Sequence, residues 1–411
     1  MFNIKWRLVA IVVSVVLLVH FLLLSPYLDS HLNRPAGSAD DSNPPLPPQD
    51  DNDTGRGAGI LHPPPVTVTV TRPGNSTEIV TEYIRETSLP GMLPVPPSEK
   101  ANAAFVILTR NKELNSLCET LIQLEDRFNR RYNYPYVFLN NEPFSDDFKE
   151  RIKSVVTGEC HFGLIPTEHW SYPDYIDQIR AAEARKKMTE QKIIYGGSES
   201  YRHMCRYESG FFYRHPLMDQ FKWYWRVEPG VKFACDIDYD PFMFMQANNK
   251  KYGFTISLKE YPKTIPTLWD TTTDFMAKNK HLIPEKNLMN FVTNSKGEYN
   301  MCHFWSNFEI GDLDFLRSDG YSAYFDYLDH SGGFFYERWG DAPVHSLGVA
   351  MFLQKSQVHW FEDIGYFHGP LWNCPKGEAN KKCWCPQEES IETKNKRWSC
   401  TLDFMKLPDS N

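Results

Sequence analysis

The run from Trp223 to Asp240, WYWRVEPGVKFACDIDYD, sets carboxylates behind a dense aromatic stretch and ahead of another apolar one. Proline lacks an N–H and fixes φ, so regular pairing ends near it. Glu228, directly before Pro229, is therefore expected where a strand gives way to a turn, with its carboxylate able to point into a cleft. Asp236, Asp238 and Asp240 alternate with Ile237 and Tyr239, which in an extended chain puts the three acids on one face. Hard cations such as Mg²⁺ and Mn²⁺ take oxygen ligands of this kind. A solvated acidic strand edge is the alternative for the triple. The stretch is expected to form the floor of a catalytic site.

A second run, IIYGGSESYRHMCRYESGFFYRHPLM, interleaves Ser198, Ser200, Tyr201, Arg202 and Arg206 with bulky aromatics. It reads as a loop entering a helix that ends near Leu217. Arginine pairs bidentately with phosphate, and tyrosine both stacks on a ring and donates a hydrogen bond. Ser198 and Arg202 are thus candidate nucleotide ligands, with an ordinary basic helix face at i, i+4 as the alternative for Arg202 and Arg206.

Alternating strands and helices are expected to carry these runs. Ala104 to Thr109 is an apolar run of strand length ending in Arg110 and Asn111, and Leu114, Leu117, Cys118, Leu121, Leu124 and Phe128 then recur at helical spacing. Tyr136 to Leu139 gives a second strand, Ser145 caps a second helix through Val156, and Phe162 to Ile165 gives a third strand. That order implies a mainly parallel sheet, whose ligands bind beyond the carboxyl ends of the strands. Arg110 stands at such an end and is a third candidate nucleotide ligand.

Leu8 to Leu24 is apolar apart from Ser14 and His20, follows Lys5 and Arg7, and at about 1.5 Å per residue just spans a bilayer. Residues 8–24 are read as a signal anchor that leaves residues 1–7 in the cytosol, a cleaved signal peptide being the competitor. Residues 25–100, rich in Pro, Gly, Ser, Asp and Thr, lack a periodic apolar pattern and are read as a disordered luminal stalk with sequons at Asn52 and Asn75. Residues 101–411 form the luminal catalytic domain. All nine cysteines follow the anchor, so some are expected to pair, four of them in the tail from Cys374 onward, with one thiol left over by the odd count. The net charge of −8 argues against a nucleic-acid partner.

Five longer motifs carry a resemblance: YRHMCRYESGFFYRHPLM, YWRVEPGVKFACDIDYDPFMFM, CHFWSNFEIGDLDFLRS, GGFFYERWGDAPVHSLGVAMFL and DIGYFHGPLWNCP. In this order, from about residue 100 to 375, the chain resembles glycosyltransferase family 15, the fungal α-1,2-mannosyltransferases of the secretory pathway. The resemblance implies a GT-A-like α/β fold, GDP-mannose as donor, Mn²⁺ as cofactor, retention of the α configuration, and a type II protein of the Golgi membrane whose acceptor is a mannosylated O-linked or N-linked glycan or cell-wall mannoprotein. It places Glu228 and His368 as metal ligands, suiting an ion that accepts both carboxylate and imidazole. Many relatives carry Asp where this chain has Gly230, and Asp236 or Asp238 is the candidate substitute. Glu309 becomes the carboxylate at the anomeric centre, in the manner of retaining glycosidases. Its own spacing from Ser306 also fits an S-x-x-E capping box at a helix start. Tyr201 is placed beside the donor sugar, and Asp341, Glu337, Arg338 and Trp305 on the acceptor side. A retaining glycosidase of the secretory pathway, or a non-catalytic sugar-binding protein, would share the aromatics and carboxylates but would need neither metal nor nucleotide.

Overall fold

The structure, a computed structural model, describes residues 66–71, 77–82 and 100–408. In the first of its two units Val66–Thr71 pairs antiparallel with Thr77–Glu82. This hairpin lies inside the stretch expected to lack regular structure. Its VTVTVT run alternates β-branched residues with period two, the pattern of a strand. The anchor at 8–24 and the tail at 1–7 lie outside the described residues, and among the described residues no helix is long and apolar enough to cross a membrane.

The second unit opens on the expected β-α-β-α-β series: β1 (Ala103–Leu108), α1 (Leu114–Leu124), β2 (Tyr136–Asn140), α2 (Asp146–Val155) and β3 (Cys160–Leu164). Ser145 caps α2 as expected, its Oγ accepting from the Phe148 N–H at 3.2 Å. Next come α3 (Glu199–Gly210), β4 (Trp223–Arg226), β5 (Lys232–Phe233), β6 (Tyr252–Phe254), β7 (Glu309–Asp312), α4 (Asp341–Phe352), β8 (Val358–Trp360), β9 (Tyr366–His368) and β10 (Leu371–Asn373). α3 stops at Gly210, short of the expected Leu217. A Cβ at Gly210 would meet the Phe325 ring at 2.0 Å, so this close packing requires glycine.

Seven strands form the central sheet in the order β8-β6-β7-β4-β1-β2-β3. β4, β1, β2 and β3 run parallel, as do β8 and β6, while β7 is antiparallel to both neighbours. Alternation along β4 sends Trp223 and Trp225 into the apolar layer with Phe105 of β1, and Tyr224 into the layer on the other face. Arg226 shares the parity of Tyr224, and register sets it directly opposite Glu309 of β7. A small antiparallel sheet, β10-β9-β5, joins the turn after Glu228 to the C-terminal region.

Disulfides link Cys235 to Cys383, Cys302 to Cys400 and Cys374 to Cys385, so each bond holds part of the tail, as its cysteine content suggested. Three thiols stay free, Cys118, Cys160 and Cys205, rather than the one expected from the odd count.

Candidate active site

A cavity of about 380 Å³ opens at the carboxyl ends of β1, β2 and β4, within the range of small-molecule sites. Arg110 and Glu113 line it from the β1 side, Asn140 and Asn141 from β2, and Arg226, Glu228 and Pro229 from β4. Ser198, Ser200, Tyr201, Met204 and Glu208 line it from the start and one face of α3. Three of these recur at i, i+3 and i+7, which is one side of a helix. An adjoining cavity shares Arg110, Asn141, Trp170 and Ser200.

Arg226 organises the inner wall. It is buried, donates from Nη1 to Asp341 Oδ2 at 2.6 Å and from Nη2 to Glu228 Oε1 at 2.5 Å, and stands 3.8 Å from Glu208 Oε2. Burial raises the Glu228 carboxyl, but the attraction of Arg226, then of His368 and Asn307, outweighs it and holds the group well below the usual carboxylate range. Asp341 is likewise lowered: burial opposes ionisation, and Arg226 with His345 and the Ser306 hydroxyl overcomes it. Glu208 goes the other way. Burial pushes it up to about 7, against the pull of Arg226 and with the repulsion of Asp341 and Glu228.

Glu228 follows β4 immediately before a turn whose Gly230 has φ +86°, as Pro229 foretold. Its Oε2 lies 3.2 Å from His368 Nε2, delivered by β9, and accepts from Asn307 Nδ2 at 2.9 Å. His368 Nδ1 is buried without a hydrogen-bond partner. One carboxylate on the cavity wall with one imidazole 3.2 Å from it is a donor pair that suits a manganese-type ion. Among the described residues the one group of three or more possible donor residues is Cys235, Cys383 and Cys385, whose sulfurs are in disulfides. An ion at Glu228 and His368 would therefore take the rest of its shell from ligand oxygens.

Tyr201 lines the cavity with its ring 5.2 Å from the Arg338 guanidinium and stacked 4.5 Å from Tyr195. Burial pushes its hydroxyl well above the ordinary value, so it stays protonated and donates a hydrogen bond. Ser198 caps α3 through the Tyr201 N–H at 3.2 Å and thereby sets the pitch of that ring. Tyr195, at φ +55° and 57% exposed, and the partly exposed Trp170 complete an aromatic mouth that the sequence alone did not single out.

Several expected roles are not matched by position. Glu309 opens β7, not a helix, so the S-x-x-E spacing is not a capping box. It is 0% exposed and does not line the cavity. Its Oε1 takes Tyr252 Oη and His345 Nδ1, both at 2.7 Å, and its Oε2 takes Tyr224 Oη at 3.0 Å, so both oxygens are engaged by the protein itself. Arg202 is fully buried and donates to the Glu337 and Ser198 carbonyls, both at 2.9 Å, tying α3 to neighbouring backbone and leaving no fork for phosphate. Arg206 spends its fork on Asp329 at 2.7 and 2.9 Å.

The acceptor-side set is also redistributed. Glu337 accepts from Thr267 Oγ1 at 2.8 Å and Trp339 Nε1 at 2.6 Å, a loop clasp away from the cavity. Arg338 lies buried behind Tyr201, 3.6 Å from Glu260. Asp341 holds Arg226 and the Ser306 hydroxyl, the latter at 2.6 Å. Trp305 packs edge-on to His368 at 4.7 Å, which makes it a wall for the metal ligand. The acidic triple is dispersed too. Asp236 pairs with Arg131 at 3.0 Å, Asp238 with Lys382 at 2.7 Å, and Asp240 caps the helix Pro241–Ala247, so neither Asp236 nor Asp238 substitutes for an acid at Gly230.

Arg226 and Glu208 were missed as site residues. Arg226 could have been found by parity, two residues before Glu228 in a strand, and Glu208 by its i+7 spacing from Tyr201.

Comparison with known proteins places the chain in a family. The family model for glycolipid 2-alpha-mannosyltransferase matches residues 72–409. The chain is 55% identical over 319 residues to the alpha-1,2 mannosyltransferase KTR1 of Saccharomyces cerevisiae, covering 77% of this chain and 81% of that one. It is 53% identical over 310 residues to the O-glycoside alpha-1,2-mannosyltransferase omh1 of Schizosaccharomyces pombe, covering 75% and 79%. Among solved structures it superimposes on core-mannan synthase A (CmsA/Ktr4) of Aspergillus fumigatus in its Mn/GDP form with a TM-score of 0.73 at 39% identity, covering 84% of this chain and 99% of that one. Ktr4p of S. cerevisiae in complex with GDP gives 0.74 at 40%, covering 78% and 87%. The fold is GT-A-like, and the chain belongs to glycosyltransferase family 15, a family of α-1,2-mannosyltransferases.

Proposed function

We propose that this chain moves mannose from GDP-mannose to the 2-hydroxyl of a mannose on O-linked or N-linked glycans or cell-wall mannoprotein, with retention of the α configuration and with Mn²⁺ bound at Glu228 and His368. The observation that carries the reading is that Glu228 and Tyr201 line one cavity together with Arg110, Asn140 and Asn141, while His368 stands 3.2 Å from the Glu228 carboxylate. The nucleotide belongs by Arg110, Asn140 and Asn141, beyond β1 and β2, and Asn140 offers a buried Nδ2 with no protein partner. A bound divalent ion neutralises charge developing on the leaving diphosphate. Arg226 keeps Glu228 ionised and aimed, and the Tyr201 hydroxyl, held between Tyr195 and Arg338, supplies a proton-bearing hydrogen bond where the sugar must sit. The solved relatives support the ligand set through their Mn/GDP and GDP forms. The same reading makes residues 8–24 a Golgi signal anchor, residues 25–100 a luminal spacer and residues 101–411 the luminal catalytic domain.

The test is transfer from GDP-mannose to α-methyl mannoside by the full chain in detergent, with Mn²⁺ or with EDTA, followed by NMR of the linkage. An α-1,2 product that disappears with EDTA is expected. Hydrolysis of mannosides indifferent to EDTA would replace the reading with a glycosidase, and GDP binding without transfer to this or a longer mannan acceptor would overturn it.

A further inference from the structure

Glu208 is the one acid on the cavity wall that the site as described leaves without a task. Glu113 accepts from the Arg110 N–H at 2.8 Å, and Glu228 is shared among Arg226, Asn307 and His368. Glu208 is 3% exposed, yet among the described residues no hydrogen bond reaches its carboxylate. Arg226, its nearest cation at 3.8 Å, already gives its forks to Asp341 and Glu228 at 2.6 and 2.5 Å. A buried carboxyl that accepts no hydrogen bond and has only a distant, shared cation is costly, and in a cavity wall a ligand can supply what it lacks.

The surroundings define that ligand. A phosphate is disfavoured directly against Glu208, because its nearest cation, Arg226, is already committed to Asp341 and Glu228. A neutral donor of hydrogen bonds is favoured, and a carboxylate accepts from two adjacent hydroxyls at once. Met204 and Tyr201, one and two turns earlier on the same face of α3, offer an apolar surface for the C–H side of a pyranose ring. We propose that Glu208 is a sugar-binding residue that holds hydroxyls of a mannosyl unit against the inner wall of the cavity. The inference rests on the mannosyl transfer proposed above. The unit is either the donor mannose or the acceptor mannose, which share this chemistry.

The Glu208→Gln variant of the full chain tests it, alongside wild type, with KM measured separately for GDP-mannose and for α-methyl mannoside, GDP affinity by calorimetry and melting temperature. The expected result is at least a tenfold loss in kcat/KM with GDP affinity and melting temperature unchanged. A rise in KM for GDP-mannose assigns the donor sugar, and a rise for the mannoside assigns the acceptor. Both KM values within twofold of wild type would overturn the proposal, as would a parallel loss of GDP affinity, which would show Glu208 acting through Glu228. Should Glu208→Gln fold poorly, Glu208→Asp, which withdraws the acid by one methylene, serves the same comparison. An inactive wild type would refute the mannosyl transfer itself and take this assignment with it, whereas an active wild type matched by the variant would refute the assignment alone.

Discussion

Replacing Glu309 by Gln keeps the outline of the side chain and removes its charge, in a place where the carboxylate is fully enclosed. Burial alone would lower His345, but the neighbouring Glu309 carboxylate, 2.7 Å from Nδ1, outweighs this and raises it, so the carboxylate favours the charged imidazole. Breaking a buried pair by neutralising one partner costs about 3–5 kcal/mol when the other charge cannot escape. Here the imidazole can shed its proton, and the amide still offers one acceptor to Tyr224 or Tyr252, so roughly 2–4 kcal/mol is expected to be lost. At ~2–4 °C per kcal/mol for a domain of this general size, the melting temperature should fall by about 5–15 °C. The assay pairs urea denaturation with single-turnover transfer at a temperature where the variant stays folded. Substantial turnover per folded molecule is expected, since the cage does not touch the cavity. A variant as stable as wild type but inactive by roughly three orders of magnitude would refute the reasoning and return Glu309 to the reacting centre.

His368→Ala should weaken Mn²⁺ binding by at least about tenfold, the loss seen even for outer partners of metal ligands, and an unchanged metal titration would remove His368 from the site. His359 is lowered by burial from 6.5 to about 3, so between these values the unfolded chain binds a proton that the native state does not. Stability therefore falls as pH drops through that window, by ~1.4 kcal/mol per unit. His359→Phe, packed against Phe244 and Phe361, should lose about 2 kcal/mol less than wild type between pH 6.5 and 4.5. Parallel denaturation curves for the two proteins would contradict the assignment.

Local pattern made the first half of the catalytic domain legible. β1, α1, β2, Ser145 with α2, and β3 appear within a few residues of where periodicity and capping chemistry place them. Glu228 was equally readable, because Pro229 dictates a turn whatever lies around it. The errors fall where long-range pairing decides. Glu309 has the spacing of a helix cap, but register with Arg226 draws it into β7. Asp236, Asp238 and Asp240 alternate as a strand would, yet partners as distant as Arg131 and Lys382 pull them apart. Arg202 reads as a nucleotide ligand, or with Arg206 as a basic helix face, and the packing of α3 buries both. No pattern of 3.6 or two residues carries that information.

Glu228 and His368, 3.2 Å apart in space, lie far apart in the chain, and the bond from Cys235 waits on Cys383, 148 residues later. During synthesis the proposed metal site thus has no existence until the last part of the chain arrives. Domains mature from their N-terminal side at about 5–20 residues per second, so the central sheet can assemble while Cys235 is still unpaired. Cys302 emerges in that interval with its own partner, Cys400, also missing. Until then Cys235 can pair wrongly with Cys302 or with any of Cys118, Cys160 and Cys205, and thiol exchange would have to undo such a bond before the native one closes. With the metal at Glu228 and His368 as proposed, closure of the Cys235–Cys383 bond and completion of that site both wait on the last part of the chain.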